Sequence, residues 1–457
     1  MIKDSFYYLL SKGLPAILSF AVLFLYLTNM NPKDYGFFSV TILTVGLVNI
    51  VTSQWVRSGM LRYYNEQNGV MNTAISVQFL IIALLSIIAM TIMISLKLNI
   101  LSSFLILIIL MSFIVNEFLN NYFRVKIMPK TILNGNLIKN IIYVLVLAAT
   151  WLISKKITLN EAFISFLAGL ILSNLYFFCF FNDKVNFKIN RNLLKVFMVY
   201  GLPLTVSFAL GVLLQNIDKY MITYQLGVTK TGDYSLVYDF VHNSLYMVMG
   251  ALGMASLPRI LKITSIEERI KSFNKYVMFL YLISIPFVGM FFAVSPDLAK
   301  IFGKFGYDTT ALILIMIVTL TFIHGINSFV YGQAIQMMEN TKIIFIPAAI
   351  AVVINIVLNL ILLPRLGLIS AAISGVIAFL ASNILLYKLI AQKLPLKFLP
   401  NKIGSVLIVM IIGTIPIFFI HFNNMFVSLF VKIILSLGIQ MVIFYILIKT
   451  KKLNLRG

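Results

Sequence analysis

Apolar stretches of helix-crossing length recur about fourteen times along this chain, each of roughly twenty residues. Hydrocarbon demands that every backbone N–H and C=O be bonded internally, and a helix meets that demand within one span. The stretches are twice the length of a barrel strand and lack its alternating polarity. The expected fold class is therefore an all-α polytopic membrane protein with about 14 transmembrane helices. With 61% hydrophobic and 11% charged residues, what remains makes short connectors and leaves no sizeable soluble domain. The first run, "FYYLLSKGLPAILSFAVLFLYL", is too long for a signal-peptide core and has no small-residue cleavage site after it. It is expected to be a retained helix. The single cysteine, Cys179, lies in an apolar run and has no disulfide partner.

One phrase occurs twice. "GLPAILSFA" begins at Gly13 and "GLPLTVSFA" at Gly201, agreeing at six of nine positions. Six spans separate the copies, an even number, so both run in the same direction through the membrane. "DYGFFSV" near the second span is echoed by "GDYSLVY" at the eighth, and "GMLR" at Gly59 by "GMASLPR" at Gly253. The pattern predicts two parallel, pseudo-symmetric six-helix lobes, residues 1–190 and 191–393, followed by two further helices and a tail in residues 394–457. Parallel repeats of this kind are a recurring transporter plan with the substrate path between halves.

Charge sets the expected orientation. With the N-terminus cytoplasmic, inward loops and ends carry roughly 25 Lys and Arg against about 9 outside. Both termini are then cytoplasmic. This asymmetry accounts for the net charge of +22 and removes the need for a nucleic-acid partner.

No P-loop, metal-ligand spacing or nucleophile elbow is present, so neither catalytic residues, metal nor cofactor is expected. The informative residues are polar groups inside spans, where they are costly and mark cavities or helix contacts. The seventh span aligns Ser207, Gly211, Gln215 and Asp218 on one face, and the eighth aligns Asp239, His242 and Tyr246. His324 lies in the tenth with Thr321 and Ser328. Glu117 lies in the fourth, and Lys139 in the fifth with Asn136 and Tyr143. Plainer readings compete: Asp218 and Lys219 sit near an outer end and suit interfacial water, Lys432 is expected to snorkel, His324 suits a satisfied interior, and Glu117 suits a partner at the cytoplasmic edge. Asp239 and His242 lie deep enough to face a polar cavity. Pro15 and Pro203, at matching sites, predict matched kinks.

"NPKDYGFFSV", "NIDKYMITYQLGVTKTGDYSLVY" and "NIVLNLILLPRLGLISAAISG", with the span count, resemble the polysaccharide transporter (Wzx-type) flippases of the multidrug/oligosaccharidyl-lipid/polysaccharide (MOP) superfamily. The resemblance implies a MATE/MOP-like fold and alternating access between the lobes in a bacterial inner membrane. It also implies translocation of a polyprenyl-diphosphate-linked oligosaccharide for O-antigen, capsule or exopolysaccharide synthesis, with membrane lipids and a polysaccharide polymerase as partners. In such a protein Lys139 is expected to line the cavity, with Arg62 and Arg259 at its cytoplasmic mouth receiving the diphosphate. Rival readings are a multidrug or cation antiporter of the same superfamily, a membrane-embedded polymerase or glycosyltransferase, and a non-transporting scaffold. The antiporter calls for an acidic cavity and lacks the last two spans, and the enzyme calls for a large outward loop.

Overall fold

The computed structural model describes residues 18–95, 100–183, 186–338, 341–400, 403–420 and 422–449. Among them the regular structure is entirely helical. In chain order the helices are α1 (Leu18–Asn29), α2 (Pro32–Tyr63), α3 (Val70–Ser95), α4 (Ile100–Val125), α5 (Pro129–Ser154), α6 (Leu159–Cys179) and α7 (Arg191–Leu226). They continue with α8 (Val228–Leu261), α9 (Ile266–Lys304), α10 (Ala311–Met337), α11 (Phe345–Leu366), α12 (Leu368–Ala391), α13 (Ile403–Phe418) and α14 (Met425–Lys449). Twelve are long and apolar enough to cross a membrane, and α1 and α13 are shorter apolar helices. The chain is a multi-pass membrane protein with the helix order the apolar runs predict.

Local chemistry sets several boundaries. Asn31 accepts from the Asp34 N–H at 2.9 Å and Pro32 opens α2, a favourable N-cap and first-turn pair. Thr158 and Glu161 form a reciprocal capping box on α6. Gly367 alone joins α11 to α12, at φ +63°, a conformation that side-chain-bearing residues resist. The segment "SPDLAKIFGKFGYDTT" reads in the sequence as a loop between the ninth and tenth spans, but it is helical as far as Lys304, so that connection shrinks to residues 305–310.

The chain forms two compact units, 1–216 and 217–457, whose boundary falls within α7. In unit 1 the first part of α7 packs directly on α2. A Cβ at Gly201 would lie 2.4 Å from the Trp55 carbonyl oxygen, so only glycine permits the approach. Phe197 likewise fills the space where a Gly59 side chain would stand. The second copy of the repeated phrase thus marks a backbone contact. Gly13 and Pro15 of the first copy, and both chain ends, lie outside the described residues. Pro203 sits inside continuous α7.

The duplication is visible inside each unit. In unit 1, Asn116 of α4 donates to Ser173 Oγ and Asn174 Oδ1 of α6, both at 2.9 Å, and Asn174 donates back to the Ser112 carbonyl. In unit 2, Asn327 of α10 donates to Ser382 Oγ at 3.0 Å and Asn383 Oδ1 at 2.7 Å of α12, and Asn383 donates back to the Ile323 carbonyl. The acceptor carbonyl lies four residues before the asparagine in both. Tyr35 and Tyr234 of the echoed Asp-Tyr phrases are both buried, at the starts of α2 and α8.

Candidate functional site

In unit 1, α2 carries Asn49, Ser53 and Arg57 at intervals of four residues, on one helical face. Arg57 is almost fully buried, with 1% exposure. Its Nη1 donates to Asn49 Oδ1 at 2.7 Å and its Nη2 to Gln54 Oε1 at 2.8 Å, while Nε has no partner among the described residues. Gln78 of α3 donates to Ser53 Oγ at 2.9 Å and closes the same layer. Neutral amides thus orient the guanidinium without cancelling its charge.

Glu117 of α4 is half-buried and acts electrostatically on both Arg57 and Lys139 of α5. Two cations therefore share one carboxylate. Lys139 is itself half-buried, and its backbone is fixed by α6: a Cβ at Gly169 would lie 2.4 Å from the Lys139 carbonyl oxygen. Asn136, one turn earlier, donates to Asn120 of α4 at 3.2 Å. Tyr143, one turn later, meets Tyr26 hydroxyl to hydroxyl at 2.5 Å. Polar bonds on both sides hold this stretch of α5 in place.

Unit 2 holds a second polar set. Asp218, expected in interfacial water, is 3% exposed. It accepts from Asn359 Nδ2 of α11 at 2.8 Å and from the Tyr234 hydroxyl at 3.5 Å. Lys219 is buried too, ion-paired with Asp239 at 2.9 Å and lying over the Tyr238 ring. Along α8 the rings of Tyr234, Tyr238, His242 and Tyr246 follow at four-residue steps, with centroid separations of 5.9, 5.5 and 4.3 Å. His324 of α10 continues the stack, 4.6 Å from Tyr246 and 4.6 Å from Phe379 of α12. The ladder reaches a π-helical turn, His242–Tyr246, and α10 has another at Asn327–Tyr331. Such turns widen a helix and recur at functional positions.

Other sequence candidates lie apart from these sets. Arg62, at the end of α2, is exposed and paired with Glu66 one turn on. Arg259, at the end of α8, is exposed. Gln215 is half-buried in the unit 1 portion of α7. Lys432 does not snorkel. Its side chain is fully buried and pairs with Asp297 Oδ2 of α9 at 2.7 Å. Ser428, Lys432, Ser436 and Gln440 form a buried stripe along α14 at four-residue spacing. Gln440 reaches the Pro286 carbonyl of α9.

Arg57 is the residue that sequence reasoning missed. Masked by the more terminal Arg62, it was nevertheless signalled by the four-residue spacing from Asn49 and Ser53, since an arginine six residues inside a helix end is too deep for a topological charge.

A duplicated helical membrane protein with charged side chains buried among its spans has the build of a transporter. Solved structures with this fold include lipid II flippase MurJ in an inward closed conformation, 20% identical at a TM-score of 0.67, covering 98% of this chain and all of that one. An inward-facing multidrug resistance MATE family transporter of the MOP superfamily matches at 11% identity and a TM-score of 0.61, over 84% of this chain and 98% of that one. The chain belongs to the polysaccharide biosynthesis protein family, whose model matches residues 1–264. A Shigella flexneri relative described as "Putative O-antigen transporter" is 23% identical over 192 residues. That match takes in 42% of this chain and 46% of the relative, so the chain spans about half the length of this curated relative.

Proposed function

We propose that the protein is a flippase moving polyprenyl-diphosphate-linked oligosaccharide repeat units across a bacterial inner membrane for surface polysaccharide synthesis, by alternating access between two lobes, with both termini cytoplasmic. The observation that carries the reading is the excess of positive charge inside unit 1, buried Arg57 and half-buried Lys139, both under the electrostatic influence of the one carboxylate of Glu117. A membrane interior holds an uncancelled cation only at a cost, and a diphosphate gains from meeting one through charge-assisted hydrogen bonds. The sugar head group is too polar to cross hydrocarbon unaided, while its prenyl tail remains in lipid throughout. Arg62 and Arg259, exposed at helix ends, suit first capture of the anion at the cytoplasmic side.

Lys139→Ala is expected to lower flipping by roughly tenfold to a hundredfold, the loss of one hydrogen bond to a charged group at about 1.5–3 kcal/mol, with normal insertion and protein level. Lys139→Arg should retain much of the activity. Transport of labelled lipid-linked repeat units in inverted vesicles measures this, and full transport by Lys139→Ala removes the residue from the site. The antiporter reading draws on the buried Asp218. Drug efflux lost in Asp218→Asn with oligosaccharide transport intact would favour it.

A further inference from the structure

The same corner of each unit holds an open recess, and the two recesses differ in charge. Each corner lies at the start of one helix and the chain beyond another: α3 and α6 in unit 1, with Lys126 just past α4 beside them, and α9 and α12 in unit 2, with the last turn of α10 completing it. The unit 1 cavity, about 430 Å³, is lined by Tyr64, Gln67, Asn68, Asn72 and Asp183. The cation beside it, Lys126, is already engaged: it pairs with Asp183 at 2.9 Å and lies over the Tyr64 ring. Burial opposes its charge, but the bonds to Tyr64 and Asp183 outweigh this and hold its pKa above the usual lysine value.

In unit 2 the chain beyond α12 brings in Lys393, two residues past the helix end, in place of a carboxylate. It lines a cavity of about 250 Å³ with Arg269, Ile266, Ile270, Met337 and Leu394. Neither cation has a carboxylate partner among the described residues. The Arg269 Nε and Nη2 both donate to the Ile263 carbonyl, at 3.0 and 2.7 Å, which fixes the guanidinium and leaves Nη1 over. Ile266, Arg269 and Ile270 share one face of α9 by their three- and four-residue spacing, whereas Glu267 and Glu268 are exposed and do not line the cavity. Apolar side chains thus sit beside two cations at the N-terminal end of α9.

We propose that this cavity binds the phosphate headgroup of an anionic membrane phospholipid. Arg269 and Lys393 hold the phosphate, while Ile266, Ile270 and Leu394 receive the adjoining acyl segments. Basic recesses between helices at a bilayer surface have this chemistry. The volume lies below the roughly 300–1,000 Å³ of clefts for larger ligands, so it suits a headgroup and not an oligosaccharide. The inference concerns a bound lipid and stands whether or not the transported substrate is the one proposed above.

The test is lipid retention by the purified full-length chain, read by native mass spectrometry after exchange with dioleoyl phosphatidylglycerol or dioleoyl phosphatidylcholine. Phosphatidylglycerol should be retained preferentially. Arg269→Gln and Lys393→Gln should each weaken its retention about tenfold. Lys271→Gln, the same charge change on another face of α9, should leave it unchanged. Equal retention of both lipids, or an equal loss in Lys271→Gln, overturns the proposal. Displacement by inorganic phosphate as effective as by lipid would reduce the cavity to a free-phosphate site. Tighter binding of undecaprenyl diphosphate, lost in the same variants, would assign it to a polyprenyl substrate. Glu339, next after Met338, lies outside the described residues. Retention appearing only in Glu339→Gln would show the cations already neutralised. Each of these three results also overturns the proposal.

Discussion

Lys432 and Asp297 show how far one residue's surroundings can reverse its expected behaviour. Near a span end a lysine ordinarily reaches for the headgroups, yet here it is sealed against a carboxylate on α9. Removing one member of a buried pair strands the other charge, at a cost of about 3–5 kcal/mol, whereas replacing both with apolar groups is often neutral or better. Lys432→Met is therefore expected to lower the thermal stability of the detergent-purified protein sharply, and Lys432→Met/Asp297→Leu to recover most of it. A single variant as stable as the parent would show that the pair contributes nothing. What the sequence made legible was the unusual residue in an apolar run. Its partner was not legible, because Asp297 sat in a segment that read as a loop. Asp218 presents the same asymmetry: its position was plain, but its principal partner, Asn359, lies 141 residues away.

At the scale of helices, small and amide side chains replace apolar packing as the source of specificity, since lipid gives two apolar faces little reason to prefer each other. The paired asparagine clasps, α4 to α6 and α10 to α12, have matching geometry and should have matching worth. Asn116→Leu and Asn327→Leu are each expected to cost about 0.6–1.7 kcal/mol, the range found for hydrogen bonds between membrane helices, measured as loss of stability in mild denaturant. A large cost in one and none in the other would mean that the two halves have diverged in what holds them. Gly169→Ala should act differently. It pushes α6 away from the backbone of Lys139, so flipping should fall even where protein level is maintained. Helix existence and order were readable from apolar length alone. The π-helical turns of α8 and α10 were not, because an extra residue in a turn leaves no trace in a pattern of hydrophobicity. The Ser-Asn pairs at Ser173 and Ser382 were present as text in two apolar segments, and they became a third echo of the duplication only when their hydrogen bonds coincided.

For the molecule as a whole, the family and fold are those of transport, and the flippase proposal makes a cellular prediction. Deletion should abolish the surface polysaccharide and accumulate lipid-linked repeat units on the inner leaflet. Normal delivery to the outer leaflet, with no second flippase present, would end the assignment. Reporter fusions after Gly457 and within residues 305–310 are expected on opposite sides of the membrane. The fourteen helices of the described residues and an internal duplication were legible because both are written in lengths and repeated phrases. The positive charge inside unit 1 was only half legible: half-buried Lys139 stood out, while buried Arg57 passed as one more positive residue near a helix end. Cys179 turns a compositional accident into an instrument. It is exposed at the last residue of α6, and the whole chain contains no other thiol. A maleimide dye therefore attaches at one defined point without any background mutation, four residues from the Asp183 that holds Lys126. A membrane-impermeant maleimide should leave intact spheroplasts unlabelled and react after permeabilisation, and its fluorescence would then report the wetting of that corner as the protein works.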